Sequence, residues 1–178
     1  MATPRGIRNG TLVVAAIAVV VVAIDQLTKW WAEQALAGKP AVEVYGDILR
    51  LTFIRNPGGA FSIGTGQTWL FTAVAVVVAI VIVWYSRRVT SVWWAVALGV
   101  LLGGALGNLV DRIIQPPGLG QGHVVDFIWL PYWPVFNVAD MAVVSGAITV
   151  VVLSLMGVEP TGRQSDEALG SRQTEPAS

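Results

Sequence analysis

The chain has 178 residues, of which 54% are apolar and 12% charged; its formal net charge is zero and its mean hydropathy +0.67. That is too apolar and too poor in charge for an ordinary soluble domain, where charged residues make up about a quarter, and the length suits one compact membrane domain. The absence of cysteine excludes disulfides, thiol nucleophiles, Cys-based metal sites and lipidation on cysteine; a single histidine, His123, excludes multi-His zinc sites; and no basic block points to nucleic acid.

Residues 1–10 are short and polar, with Arg5 and Arg8 ahead of an uncharged run, Thr11–Ile24. A secretory signal peptide also begins this way, but no small-x-small cleavage site closes the segment. It ends in Asp25-Gln26-Leu27-Thr28-Lys29-Trp30-Trp31, whose paired tryptophans suit a membrane–water interface. The expectation is a retained first span over about 12–31. In the stretch that follows, Ala41–Tyr45 and Ile48–Arg55 carry β-branched and aromatic residues around Gly46-Asp47, which predicts a small antiparallel sheet over about 41–61. Two strands are not stable alone, so this sheet should rest on the membrane surface or on the helices. Asn56-Pro57-Gly58-Gly59-Ala60-Phe61 reads as a turn-rich loop.

A second span is expected over 69–85, closed by Arg87-Arg88, and a third over 92–112, ending in Asp111-Arg112. Gly99, Gly103 and Gly107 recur every four residues on one face of the third, a spacing that permits close helix approach in lipid. Ile113–Trp133 reads as a loop, and Val135 to about Gly157 as the fourth span. Residues 1–157 would form one four-helix domain, and 158–178, rich in Pro, Ser, Glu and Arg, a disordered tail. Four spans put both termini on one side. The Lys and Arg totals of the two sides barely differ, but the tight Arg87-Arg88 turn favours its own side as cytoplasmic, leaving the sheet outside.

Two carboxylates stand out. Asp126 lies in the apolar Val124-Val125-Asp126-Phe127-Ile128, and Asp140 opens a run with no charge from Met141 through Val158. Ionisable groups in such surroundings are expensive and point to function. A plainer reading makes each a helix cap or a partner of Arg112. Together they suit peptide hydrolysis, in which one carboxylate takes a proton from water and the other, protonated, hydrogen-bonds the scissile carbonyl; close carboxyls in a dry site tend to share one proton. If Asn137 caps the fourth span, Asp140 falls at its third helical position, an analogue of the capping box. The helix end then favours its anion by roughly 0.3–1 kcal/mol. Asp140 is therefore expected to be the more acidic member and Asp126 the usual proton carrier.

Other polar residues have plainer roles beside functional ones. Asn137 can cap its helix and also orient Asp140 or the water. Asn108 suits a hydrogen bond between helices, Asp111-Arg112 an interfacial network, and Asp25 and Lys29 an intrahelical pair anchored at the interface. His123, three residues before Asp126, reads as a loop histidine, with a role in tuning the two acids as the alternative.

At this point the motifs resemble one family, bacterial lipoprotein signal peptidase or signal peptidase II. The blocks are Asp25-Gln26-Leu27-Thr28-Lys29; Asn56–Phe61; Gly103–Arg112; Val124-Val125-Asp126-Phe127; and Phe136-Asn137-Val138-Ala139-Asp140, covering about residues 12–157. The resemblance implies a mainly α membrane aspartic protease with four transmembrane helices and an extracytoplasmic β-cradle, in the bacterial cytoplasmic membrane. Its substrate would be a prolipoprotein bearing a diacylglyceryl lipobox cysteine, cut just before that cysteine. Carried over, Asp126 and Asp140 are the catalytic dyad; Asn56, Gly58, Asn108, Arg112 and Asn137 line the site, and Asp25 and Lys29 support it. No metal or organic cofactor is called for, and a monomer is expected. The Gln115–Gly122 insert is long and rich in Pro and Gly, which leaves its shape open. A competing class is a small proton-coupled transporter using the carboxylates as a relay, although a relay should place acids at several depths, whereas these gather toward one face. A non-enzymatic assembly subunit would have no special need of paired acids.

Overall fold

A computed structural model of the chain describes residues 9–58 and 67–161. Arg5 and Arg8, Gly59-Ala60-Phe61 of the turn-rich loop and the tail beyond 161 lie outside the described residues. The element order is α1 (Gly10–Leu36), β1 (Val42–Tyr45), β2 (Leu49–Asn56), α2 (Thr68–Ser86), α3 (Val92–Ile114), β3 (Val124–Trp129) and α4 (Val138–Leu155). All four helices are long and apolar enough to cross a membrane. Their outward faces, such as Val19 and Val20 on α1 and Val77 and Ile80 on α2, are exposed hydrophobics, as expected where lipid is the solvent.

Helix α3 is the axis of the bundle, with twelve buried residues along its length. The glycine face foreseen in the sequence makes its contact with α1. A Cβ at Gly99 would meet Ile17 at 2.7 Å, one at Gly103 would meet Val21 at 2.5 Å, and one at Gly107 would meet the carboxylate of Asp25 at 2.6 Å. Gly104 lies on the adjoining face, where a Cβ would stand 2.5 Å from the Ala139 carbonyl and 2.8 Å from the Val143 amide of α4. Without a hydrophobic force between helices in lipid, such close backbone approach supplies the packing. The bundle therefore seats α1 and α4 side by side on adjoining faces of α3 at its polar end, where a Cβ at Gly107 would meet both Asp25 and Ala139. At the other end Thr90 and Ser91 donate their amides to the Pro160 carbonyl, and Ser86 donates to Thr11. The first and last described turns and the Arg87-Arg88 turn thus share one end, and the sheet occupies the other.

Helix α1 outruns the expected boundary at about residue 31. At 1.5 Å per residue its 27 residues reach about 40 Å, more than the hydrocarbon thickness. Its last turns are held because Ala32 and Leu36 form a second small core with Phe127, against whose ring Trp31 packs edge-on at 6.5 Å. Helix α4 begins three residues later than expected. Phe136 forms an isolated bridge with Ile128, keeping the chain extended until Asn137 caps the helix.

The sheet is antiparallel in the order β1-β2-β3, and its third strand corrects the reading of Ile113–Trp133 as a loop. Residues 124–127 are buried in succession, so the segment shows no alternation, and a short continuous apolar run cannot be assigned from periodicity. Asn56 is the last residue of β2, not the first of a loop. The Gln115–Gly122 insert folds back on α3 through a cis Pro116–Pro117 bond, with the Gly122 amide on the Arg112 carbonyl at 2.9 Å and the His123 amide on the Pro116 carbonyl at 3.1 Å.

Gly104→Leu is expected to force α3 from α4 at the turn carrying Ala139, destabilising the bundle by about 1–3 kcal/mol or more. Thermal unfolding in detergent measures this, with Val77→Leu on the exposed face of α2 as the near-neutral comparison.

Candidate active site

Strand pairing and a helix cap deliver the two carboxylates. On β3, Asp126 lies opposite Ile54 of β2, and Asn56 is its diagonal neighbour on the same face. Asn56 Nδ2 reaches Asp126 Oδ2 at 2.9 Å. Asp140 stands at the third position of α4 in a complete capping box: the Asn137 side chain accepts from the Asp140 amide at 3.0 Å, and Asp140 Oδ2 accepts from the Asn137 amide at 3.1 Å. The same Asn137 turns its Nδ2 onto Asp126 Oδ1 at 2.7 Å. One fully buried carboxamide thereby joins the two acids. Asn108 of α3 completes the ring, donating to Asp140 Oδ1 at 2.8 Å and accepting from Asn137 at 3.2 Å.

Behind this ring lies a buried charged cluster. Lys29 Nζ is 2.8 Å from Asp25 Oδ2 and 2.8 Å from Asp111 Oδ2, and all three side chains are at most 3% exposed. Asp25 and Lys29 are a pair at the expected spacing, but they point into the protein instead of anchoring at the interface. Each carboxylate also grips a backbone amide. Asp25 Oδ1 accepts from Ala139 N at 2.9 Å and Asp111 Oδ2 from Val125 N at 3.1 Å. Ala139 immediately precedes Asp140, and Val125 immediately precedes Asp126. Gln26 cross-links the cluster, donating to Asp111 at 3.0 Å, to the Gly107 carbonyl at 3.1 Å and to Asp25 at 3.2 Å.

Arg112 pairs with neither Asp126 nor Asp140. It donates to the carbonyls of Gly58 at 2.6 Å, Pro57 at 3.2 Å and Gly122 at 3.2 Å, tying the end of β2 to the loop before β3. The Gly58 amide in turn closes on Asn56 Oδ1 at 2.9 Å, which fixes the Asn56 carboxamide as a donor to Asp126. A cleft of about 580 Å³ opens beside Asp126 and Asn56, walled by Trp129, Tyr132, Trp133 and Val135.

All the residues singled out in the sequence meet here: Asp126, Asp140, Asn56, Gly58, Asn108, Arg112, Asn137, Asp25 and Lys29. Asp111 and Gln26 belong with them. From the sequence Asp111 reads only as part of an interfacial network, although its place three residues after Asn108 on one helix face is a signal. Among the described residues no group of three or more His, Cys, Asp or Glu side chains could hold a metal ion.

Burial, and after it the negative charge of Asp140, pushes the Asp126 carboxyl up to about 7; the hydrogen bonds from Asn56 and Asn137 oppose this. The arrangement can therefore carry one proton near neutrality on an acid that adjoins a cleft.

Four apolar helices around a polar, carboxylate-bearing end define a multi-pass membrane protein of the kind found among membrane enzymes. Two solved bacterial membrane enzymes, both determined by the in meso method, share the fold: one has a TM-score of 0.73 at 25% identity over 100% of both chains, the other 0.70 at 28% identity over 87% of this chain and 98% of that one. The sequence profile described as Signal peptidase (SPase) II matches residues 17–156. A lipoprotein signal peptidase of Rhodococcus jostii is 56% identical over 146 residues, 82% of this chain and 74% of its own. One from Mycobacterium tuberculosis is 48% identical over 158 residues, 89% and 76% of the respective chains. The chain belongs to the signal peptidase II family, and so to a family of proteases.

The Asp126 carboxyl is expected to titrate near 7 in difference infrared spectra of the wild type minus Asp126→Asn. Asp140→Asn removes a negative charge and should lower that value, whereas Asn56→Ala removes a donor to the anion and should raise it. An acid held above its ordinary range keeps its proton in the fold after the unfolded chain has lost it. Its contribution to stability is therefore full below about 4 and is lost as pH rises to about 7.

Proposed function

We propose that this protein is a membrane aspartic endopeptidase that removes the signal peptide from diacylglyceryl-modified prolipoproteins, cutting just before the lipidated cysteine. The single observation that carries the reading is the joint hold of Asn137 on two acids from different elements, by its side chain on Asp126 and by its backbone amide on Asp140. The names of the relatives, lipoprotein signal peptidase, supply the substrate class.

The asymmetry of the pair sets the roles. Asp126, buried and raised to about 7, enters the cycle protonated. Asp140, at the N-terminus of α4 and accepting from Asn108 and from the Asn137 amide, enters as the carboxylate. Asp140 takes a proton from water as the water oxygen bonds to the scissile carbonyl carbon, and Asp126 gives its proton to the carbonyl oxygen. The tetrahedral diol then collapses. Asp140 protonates the leaving amide nitrogen, the C–N bond breaks, and Asp126 recovers the hydroxyl proton, restoring the starting state. One water is consumed, and an acid and an amine leave. Because the proton belongs to the pair, activity should fall on both sides of a maximum.

The sheet end of the bundle is read as the extracytoplasmic face, with the end bearing Arg87 and Arg88 in the cytoplasm. A lipid-anchored substrate then reaches Asp126 and Asp140 by lateral diffusion. Arg112 holds the carbonyls of Pro57 and Gly58 beside the cleft and so fixes the end of the strand that carries Asn56.

Purified wild-type protein is expected to cleave a diacylglyceryl-modified precursor and to leave the unmodified precursor intact. Asp126→Asn and Asp140→Asn should each lower turnover by at least about 100-fold while keeping the wild-type fold. A single variant that still cleaves at the wild-type rate would refute the dyad, and transport without cleavage would favour a proton relay instead.

A further inference from the structure

The three carboxamides facing the two acids could each present oxygen or nitrogen, and only nitrogen can stabilise a carboxylate. Something behind each amide must fix the choice. For Asn56 it is the Gly58 amide on Oδ1 at 2.9 Å, and for Asn137 the Asp140 amide on Oδ1 at 3.0 Å. Behind Asn108 stands a charge. Lys29 Nζ donates to Asn108 Oδ1 at 3.0 Å, and the opposite end of the same amide meets Asp140 Oδ1 at 2.8 Å. Asn137 also donates to Asn108 Oδ1, but at 3.2 Å and with an amino group shared with Asp126.

We propose that Lys29 is a positioning residue that acts on Asp140 through the carboxamide of Asn108, and so selects Asp140 as the carboxylate that takes the proton from water. This rests on the protease reading above. An ammonium has three donors and no acceptor, so Asn108 cannot turn its NH2 toward Lys29, and its oxygen is committed there. With the ammonium on its oxygen the amide is polarised, and its N–H becomes a stronger donor to the acid beyond. Among the described residues the side-chain donors to Asp126 are the amides of Asn56 and Asn137, and Lys29 acts on it across space without an intervening amide. A lysine on α1 that is hydrogen-bonded to neither acid thus adds, through Asn108, to the inequality that the burial of Asp126 and the helix N-terminus at Asp140 establish.

The three donors of Lys29 are all used, on Asp25, Asp111 and Asn108. Its position is therefore fixed from two helices. The charged groups around Asp140 are Asp126 on β3, Asp25 and Lys29 on α1, and Asp111 and Arg112 on α3; of the two cations, Lys29 reaches the Asp140 carboxylate through one intervening carboxamide, whereas Arg112 donates to backbone carbonyls.

The test follows kcat/KM against pH for cleavage of a diacylglyceryl-modified precursor by the full-length protein. Lys29→Met leaves two buried carboxylates facing each other and can lose the fold, so it is paired with Asp111→Asn, which keeps the cluster's net charge. The Lys29→Met/Asp111→Asn protein and Asn108→Ala are each expected to move the acid limb of the profile upward by about one pH unit. Adding Asn108→Ala to the pair should move it no further, the non-additivity expected of groups acting in series. Shifts that add, or an acid limb left in place in Asn108→Ala, overturn the proposal. An unmoved limb in Asn108→Ala overturns the proposal even if the Lys29 variant does not fold, because that substitution breaks the route while both ion pairs of Lys29 remain. Failure of the wild type to cleave removes the protease reading and the relay with it, whereas cleavage with an unmoved limb removes only the relay.

Discussion

The structure depends on an ammonium buried between two carboxylates at the polar end of an apolar bundle. Lys29, Asp25 and Asp111 leave water almost completely, a desolvation that their mutual attraction offsets only when geometry is good and the remaining lone pairs are filled. Here the lone pairs are filled by backbone. Asp25 takes the Ala139 amide, one of the first-turn N–H groups of α4 with no intrahelical partner, and Asp111 takes the Val125 amide of β3. The cluster therefore does more than join α1 to α3. Each of its carboxylates holds the peptide next to Asp126 or Asp140, so the separation of those two acids is set by a charged pivot anchored on two other helices.

Glycine makes this possible. Gly107 leaves room for the Asp25 carboxylate against α3, and Gly104 lets the first turn of α4 rest on the same helix. Were either position larger, α1 or α4 would stand off, and the carboxylates of Asp25 and Asp111 could not both reach Lys29 and their amides. Packing of small residues in lipid and electrostatic satisfaction of the polar end are in this protein one constraint. The sheet adds the remaining acid. Its three strands bury Phe127 on the end of α1 and bring Asp126 beside Asn56, with the β3 edge sealed by Phe136 just before the chain turns into α4.

Two identical side chains come to hold different environments by this route. Asp126 sits in a strand, buried and beside a cleft, where desolvation keeps its proton on to about pH 7. Asp140 sits in the first turn of a helix and is only half-buried, surrounded by donors. Environment, not residue type, separates the two carboxylates.

The four spans were legible because a run of apolar residues long enough to cross a bilayer has no other common meaning, and a β-hairpin around Gly46 was legible from its turn chemistry. The capping box was legible too, since Asn137 and Asp140 carry it within four residues. Asp126 and Asp140 were conspicuous as charges in apolar surroundings, and their neighbours through motif spacing. What the sequence could not supply was any relation across long separations. That Val124–Trp129 is a strand depends on β2, more than 65 residues earlier, because a segment buried on both faces has no period of its own. That Lys29 and Asp25 face inward depends on α3, where Asn108, Asp111 and Gly107 await them; on α1 alone the same pair reads as an interfacial anchor. The sequence by itself determined the spans, the cap and the candidate acids, because each is decided within a few neighbouring residues. Only the tertiary structure decided how those acids are joined and told apart, because hydrogen bonds between distant segments exist only after the helices have packed.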